Sequence, residues 1–174
     1  MMKWVMMKRS VVAAAVFLTL GLNACGYHLV GMGRGMVPDD VQVVKIVGVG
    51  ETETMFLRAW QGFVRDHAAG YTAVAADSEQ RADIEMRIGN LKETLAPITY
   101  DSAGISTVER MTLTGELSLW RDGERIWNSG SISAYEDVNV GGNPTAIESA
   151  KARIRSDLEL GWMQQAWLKL SSGF

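Results

Sequence analysis

The chain has 174 residues, one cysteine, two histidines and a formal charge of −3. That length favours one domain with its own core. One cysteine excludes an intramolecular disulfide, and a zinc site would need carboxylates to complete it. The acidic balance argues against nucleic acid as a partner.

The first expected element is a targeting segment. Lys3, Lys8 and Arg9 precede any acid, and residues 11–22 form an apolar run. The run falls short of the roughly 20 residues a spanning helix needs. A basic start, a short apolar stretch and small residues after it describe a secretory signal peptide over residues 1–24. The alternative is an N-terminal anchor that stays in place. The stretch Leu22-Asn23-Ala24-Cys25 resembles the bacterial lipobox. That resemblance implies that the Cys25 sulfur receives a diacylglycerol, that the chain is cut before Cys25, and that the new amino group is acylated. Two or three acyl chains make a lasting anchor where one does not. Gly26, where an aspartate would retain the protein in the inner membrane, resembles outer-membrane sorting. The competing expectation for Cys25 is a buried free thiol. Removal of Lys3, Lys8 and Arg9 takes the formal charge from −3 to −6, so an anionic ligand would need a local basic cluster.

Residues 25–40 read as a lipidated linker, with Gly31, Gly33, Gly35 and Pro38. Residues 41–174 are the expected folded domain. Residues 41–49 are β-branched and apolar, a buried strand. Thr52 or Thr54 is the expected cap of a helix, with Glu51 and Glu53 suiting its positive end. Phe56, Ala59, Trp60, Phe63 and His67 follow at helical spacing, and Gly70 ends the helix. His67 reads as a helix-end residue rather than a ligand. Residues 71–75 are either a short strand or an extended lead-in.

Ile84, Met86 and Ile88 alternate with Asp83, Glu85 and Arg87, a strand with one wet face. The alternation returns over residues 108–120, with Met111, Leu113, Leu117 and Leu119 on one side. Between these strands Pro97 predicts an edge or a break. Asp122-Gly123 signals a hairpin into a third long strand over residues 124–138. A final helix starts at the Asn143 cap with Pro144 at its first position. Its stripe is Ile147, Ala150, Ile154, Leu158 and Trp162, and Gly161 is a candidate bend. The expected fold class is α+β: a two-layer α/β sandwich, two helices on one face of a mixed, mostly antiparallel sheet of about four strands. The other face is expected to carry Arg110, Thr112, Glu116, Ser118, Trp120 and Trp127. It is either solvated or covered by another protein.

Cys-Gly-Tyr-His-Leu-Val-Gly from Cys25, then a short Gly/Pro stretch reaching Val37-Pro38-Asp39-Asp40-Val41-Gln42-Val43-Val44-Lys45-Ile46, resembles the LptE family. LptE is the lipoprotein subunit of the lipopolysaccharide-assembly translocon. The order of elements resembles that family too. So do the stretch from Met86-Arg87-Ile88-Gly89 to the turn at Asp101-Ser102-Ala103-Gly104 and the late helix. The resemblance implies a sandwich anchored by its lipid on the periplasmic side of the outer membrane. It implies that the domain plugs an LptD-like β-barrel, one to one, helps it assemble, and with it places lipopolysaccharide in the outer leaflet. Cys25 would be acylated, and Gly26, Tyr27, His28 and Leu29 would enter the barrel complex. The family's lipopolysaccharide contact is attributed to bases near a strand-connecting tip. Here the tip holds Asp101 and no base, which leaves Lys92 and Arg110, with Arg125, as the nearest candidates.

The alternative function is an unrelated outer-membrane lipoprotein acting as a periplasmic adaptor or glycan binder. An enzyme is not expected: the sequence lacks GxSxG, HExxH and a phosphate loop. The acid pairs Asp83/Glu85 and Glu136/Asp137 are ordinary strand and turn residues. No cofactor and no metal are implied.

Overall fold

The computed structural model describes residues 34–172. Cys25, Gly26, Tyr27, His28 and Leu29 lie outside them. In chain order the elements are β1 (Val43–Gly48), α1 (Thr54–His67), β2 (Thr72–Val74), β3 (Ile84–Tyr100), β4 (Ser106–Arg121), β5 (Glu124–Asn139) and α2 (Pro144–Ser172). The sheet order is β2-β1-β3-β4-β5. β1 runs parallel to β2 and β3, and β3, β4 and β5 form an antiparallel meander. The α+β class holds, with five strands where about four were expected. The fifth is β2, whose three residues are too few to show a period.

Both helices cover one face. Phe56, Trp60 and Val64 of α1 are buried, as are Leu158, Trp162, Met163, Ala166, Trp167 and Leu170 of α2. They meet Ile84, Met86 and Ile88 of β3 and Met111, Leu113, Leu117 and Leu119 of β4. The helices join through aromatic edges. Trp162 stands edge-on to Phe56 at 5.5 Å and to Trp60 at 6.0 Å, and the Trp60 indole donates to the Met86 sulfur at 3.3 Å. Such pairs add specificity to the burial of large apolar rings. His67 stacks on Phe63 at 4.1 Å and lies 2.7 Å from its carbonyl, closing the last turn of α1 as expected.

Capping differs at the two helices. Asn143 accepts the Thr145 amide at 2.8 Å, the expected cap of α2. The N-cap of α1 is instead Glu53, which makes no side-chain cap bond. The Thr52 hydroxyl donates to the Val49 carbonyl at 3.1 Å, tying the loop to β1. Gly161 does not break α2. A methyl there would stand 3.8 Å from Ala134 on β5, an ordinary contact, so the helix runs through without a bend and the packing would accept a larger residue.

The segment read as linker is packed into the fold from Gly35 onward. Val37 and Val41 are buried, and the Met36 amide donates to the Leu170 carbonyl at the end of α2 at 2.8 Å. Gly35, at φ +57, sits where a Cβ would lie 2.2 Å from that carbonyl oxygen, so both space and backbone require glycine.

β1 leaves β3 after Ile88. Beyond that point β3 has one neighbour, and its last residues form the free edge of a three-stranded arm. Pro97 lies in this edge, as its missing N–H demands. A bulge at Asn90 (φ +53) shifts the β3–β4 register between Gly89 and Lys92 and starts the arm. The chain enters and leaves the fold at one end, and the β3–β4 turn is at the other.

Candidate functional site

The sheet face away from the helices is uncovered, and the register sets what it shows. One row across it is Lys45, Glu85, Trp120 and Arg125; farther along come Lys92–Thr114–Ser133, Thr94–Thr112–Tyr135 and Ala96–Arg110–Asp137. These side chains are paired laterally, flat on the strands. Arg87 bonds Glu85 through Nε and Nη2, each at 2.7 Å, and lies over the Trp120 ring at 4.2 Å. The Trp120 indole donates to the Ser118 hydroxyl at 2.9 Å. Arg110 grips Asp137 with two bonds of 2.8 and 3.0 Å, and its guanidinium covers Tyr135 at 4.4 Å. Those bonds hold the Asp137 carboxyl below its usual range. Pairs this exposed contribute little stability. Their effect is to fix orientation, leaving a flat polar surface around Trp120 and Tyr135.

Arg110 is therefore a committed side chain. Lys92 lies on the same face without an ion pair among the described residues. The two stand opposite Ala96 and Thr114, so β4 separates them by about 13 Å. Arg125 belongs to the far row, at the opposite end from the tip. The structure does not gather these three bases. Trp127 was expected on this face but stands opposite Leu119 and packs against the core. A register shift between Leu119 and Trp120 reverses its side.

At the tip, the Asp101 carboxylate accepts the amides of Ala103 at 2.8 Å and Ile105 at 2.9 Å, with Gly104 at φ +79. That acid is spent on closing the turn. Around it the arm exposes apolar side chains that the sequence reading did not single out: Tyr100 and Ile105 are 60% and 64% exposed, with Leu95 and Ile98 nearby. The available signal was the apolar content of residues 95–105, which the Pro and Gly punctuation obscured.

On the helix side, Arg155 of α2 makes two bonds to Glu93 of β3, at 2.6 and 2.8 Å, which lower the Glu93 carboxyl below its usual range. The pair borders a cavity of about 90 Å³ floored by Phe56, Leu91, Leu113 and Leu158. Glu159 at its rim is pushed up by burial and by Glu53.

The acid pairs do not face each other as catalytic partners. Asp83 accepts the amides of Gln42 and Val43, Glu85 serves Arg87, Asp137 serves Arg110, and Glu136 lies on the helix-side register opposite Met111. Among the described residues no group of three or more His, Cys, Asp or Glu side chains is placed to hold a metal ion. Among them, too, no helix is long and apolar enough to cross a membrane.

Neither a family model nor a curated protein matches the chain in sequence. Solved structures match its shape. It is similar to the uncharacterised lipoprotein B of Nitrosomonas europaea: TM-score 0.65 and 11% identity over 85% of this chain and 92% of that one. It is also similar to the rare lipoprotein B of Shewanella oneidensis, with TM-score 0.59 and 9% identity over 76% of this chain and 96% of that one. A minor lipoprotein of Acinetobacter baumannii follows, at TM-score 0.53 and 10% identity over 76% of this chain and 92% of that one. The chain has the fold of these bacterial lipoproteins. At such identities the likeness speaks of fold alone.

Proposed function

We propose that this chain is a lipid-anchored outer-membrane protein of the LptE type. In this reading Cys25 carries the acyl chains, and the sandwich sits as a one-to-one plug inside a wide LptD-like barrel that delivers lipopolysaccharide to the outer leaflet. The observation that carries the reading is the start motif at Cys25, followed by a chain that folds as bacterial lipoproteins do over most of its length. The uncovered sheet face supports it. A barrel lumen is polar, so a plug needs a satisfied polar surface rather than an apolar one. The laterally paired charges around Arg87 and Arg110 supply such a surface, and Trp120 and Tyr135 are of the type enriched in interface cores.

Purification from outer membranes in a mild detergent tests this directly. The expected result is one large β-barrel protein in equal amount, and an N-terminal peptide beginning at acylated Cys25. Recovery with peptidoglycan and no barrel would replace the plug with an adaptor or glycan binder. An unmodified start at Met1 with a free thiol would remove the anchor.

A further inference from the structure

We infer that the free edge of β3 past Ile88 is a docking site for an extended, basic segment of another protein, which joins the sheet there as an added strand. The register shows which groups this edge offers. The Val140 amide donates to the Thr107 carbonyl, and in an antiparallel ladder such bonded pairs recur at every second residue. Counted along β4 from Thr107, the odd residues bond β5, so Thr112 and Thr114 turn towards β3 and bond Thr94 and Lys92. Glu93 and Leu95 therefore point both N–H and C=O away from β4, and Pro97 points its carbonyl the same way. β1 supplies partners only as far as Ile88, and these outward groups have no backbone partner among the described residues. An edge of this kind is a template for another strand. Pro97, with no N–H, limits the template to a short run.

What flanks the edge sets the chemistry of its occupant. The cavity of about 90 Å³ opens beside Leu91 and Glu93, with an apolar floor and a rim of Glu51, Glu53, Glu93 and Glu159 with Arg155. Arg155 is the one base in this lining, and Glu93 takes it with two bonds. Glu51, Glu53 and Glu159 make no ion pair among the described residues, so the rim carries an excess of negative charge. An apolar floor under carboxylates fits a lysine or arginine side chain, whose stem lies on the floor while its head reaches the acids. Among the described residues these carboxylates are not placed to hold a metal ion, and a bare ion would leave the floor unused. An extended segment turns alternate side chains to one side. It therefore bonds the edge and sets a base in the cavity at once, the mode by which peptides add to sheet edges. Complementary charge selects the partner and its register. The inference does not rest on the plug reading, and its test involves no barrel.

The test uses the full chain in micelles of a neutral glycoside detergent and follows the backbone amide resonances of Glu93 and Leu95. The probe is a blocked heptapeptide, Thr-Lys-Val-Lys-Val-Lys-Thr, and its counterpart has glutamate for each lysine. The lysine peptide should shift both amides saturably and slow their hydrogen exchange, and the glutamate peptide should do neither. E53Q/E159Q should weaken binding by about tenfold; Glu53 makes no side-chain cap bond whose loss would disturb α1. Glu124→Gln, on the β4–β5 hairpin, should leave binding unchanged. Leu95→Pro removes an edge N–H and no bond to β4, and should also weaken binding. The inference is overturned if neither amide responds to the lysine peptide, if the glutamate peptide binds as well, or if either folded variant binds the lysine peptide unchanged. Shifts of these amides with protein concentration alone would give the edge to a second copy of the chain and overturn the basic occupant.

Discussion

Gly115 and Trp162 set how closely α2 approaches the sheet. A methyl at Gly115 would lie 2.9 Å from Leu91 and 3.1–3.2 Å from the Trp162 ring. Leu91 has rotamers to move through, whereas Trp162 is wedged between Phe56 and Trp60. Gly115→Ala should therefore destabilise by about 1–3 kcal/mol, the usual range for overpacking. Gly62→Ala is its control. Gly62 lies inside α1 with open space around its Cβ, so the change should stabilise by about 0.5–1 kcal/mol. Urea midpoints of the two variants should move in opposite directions; a shift of the same sign in both would contradict this packing.

At the scale of elements, α2 is a graded clamp. Its first half lies over the arm, with Ile147 and Ile154 half-buried, and its second half carries Leu158, Trp162 and Leu170 into the core. Leu158→Asp should abolish the cooperative thermal transition, because an unpaired buried charge costs several kcal/mol, comparable to the whole stability of a domain this size. Ile154→Asp should lower the midpoint yet leave a folded protein. Equal loss in both variants would show that the buried stripe extends further than described. The sequence showed α2, its cap at Asn143 and, in Leu158 and Trp162, the start of its buried side, because that side is dry there; it did not single out Met163, Ala166, Trp167 and Leu170, which continue it. It showed the covered parts of β3 and β4 for the same reason, through Ile84, Met86 and Ile88 and through Met111 to Leu119. It did not show that β3 runs on to Tyr100. Past Ile88 the strand loses β1, and solvent reaches residues 92–100, so alternation fades from Lys92 onward. Trp127 was misplaced because side-chain parity cannot be counted across the bulges beside Ser118 and Trp120.

For the whole molecule, direction matters most. The described chain begins at Arg34 beside the C-terminal end of α2, and the packed strap from Gly35 to Val41 holds that end in place. The β3–β4 turn lies at the far end of a strand about 56 Å long. A tether at Cys25 would therefore hold the molecule by one end and present the apolar Tyr100 and Ile105 at the other. If the domain is a plug, its tip, its sheet face and its helix face all meet the same wall. In-cell crosslinking from Asp101 at the tip, Thr114 and Asn128 on the sheet face, and Gln164 on the outer side of α2 tests that claim most directly. The account predicts adducts with one large outer-membrane barrel from all four positions. Adducts from one side alone, or with peptidoglycan, would contradict it.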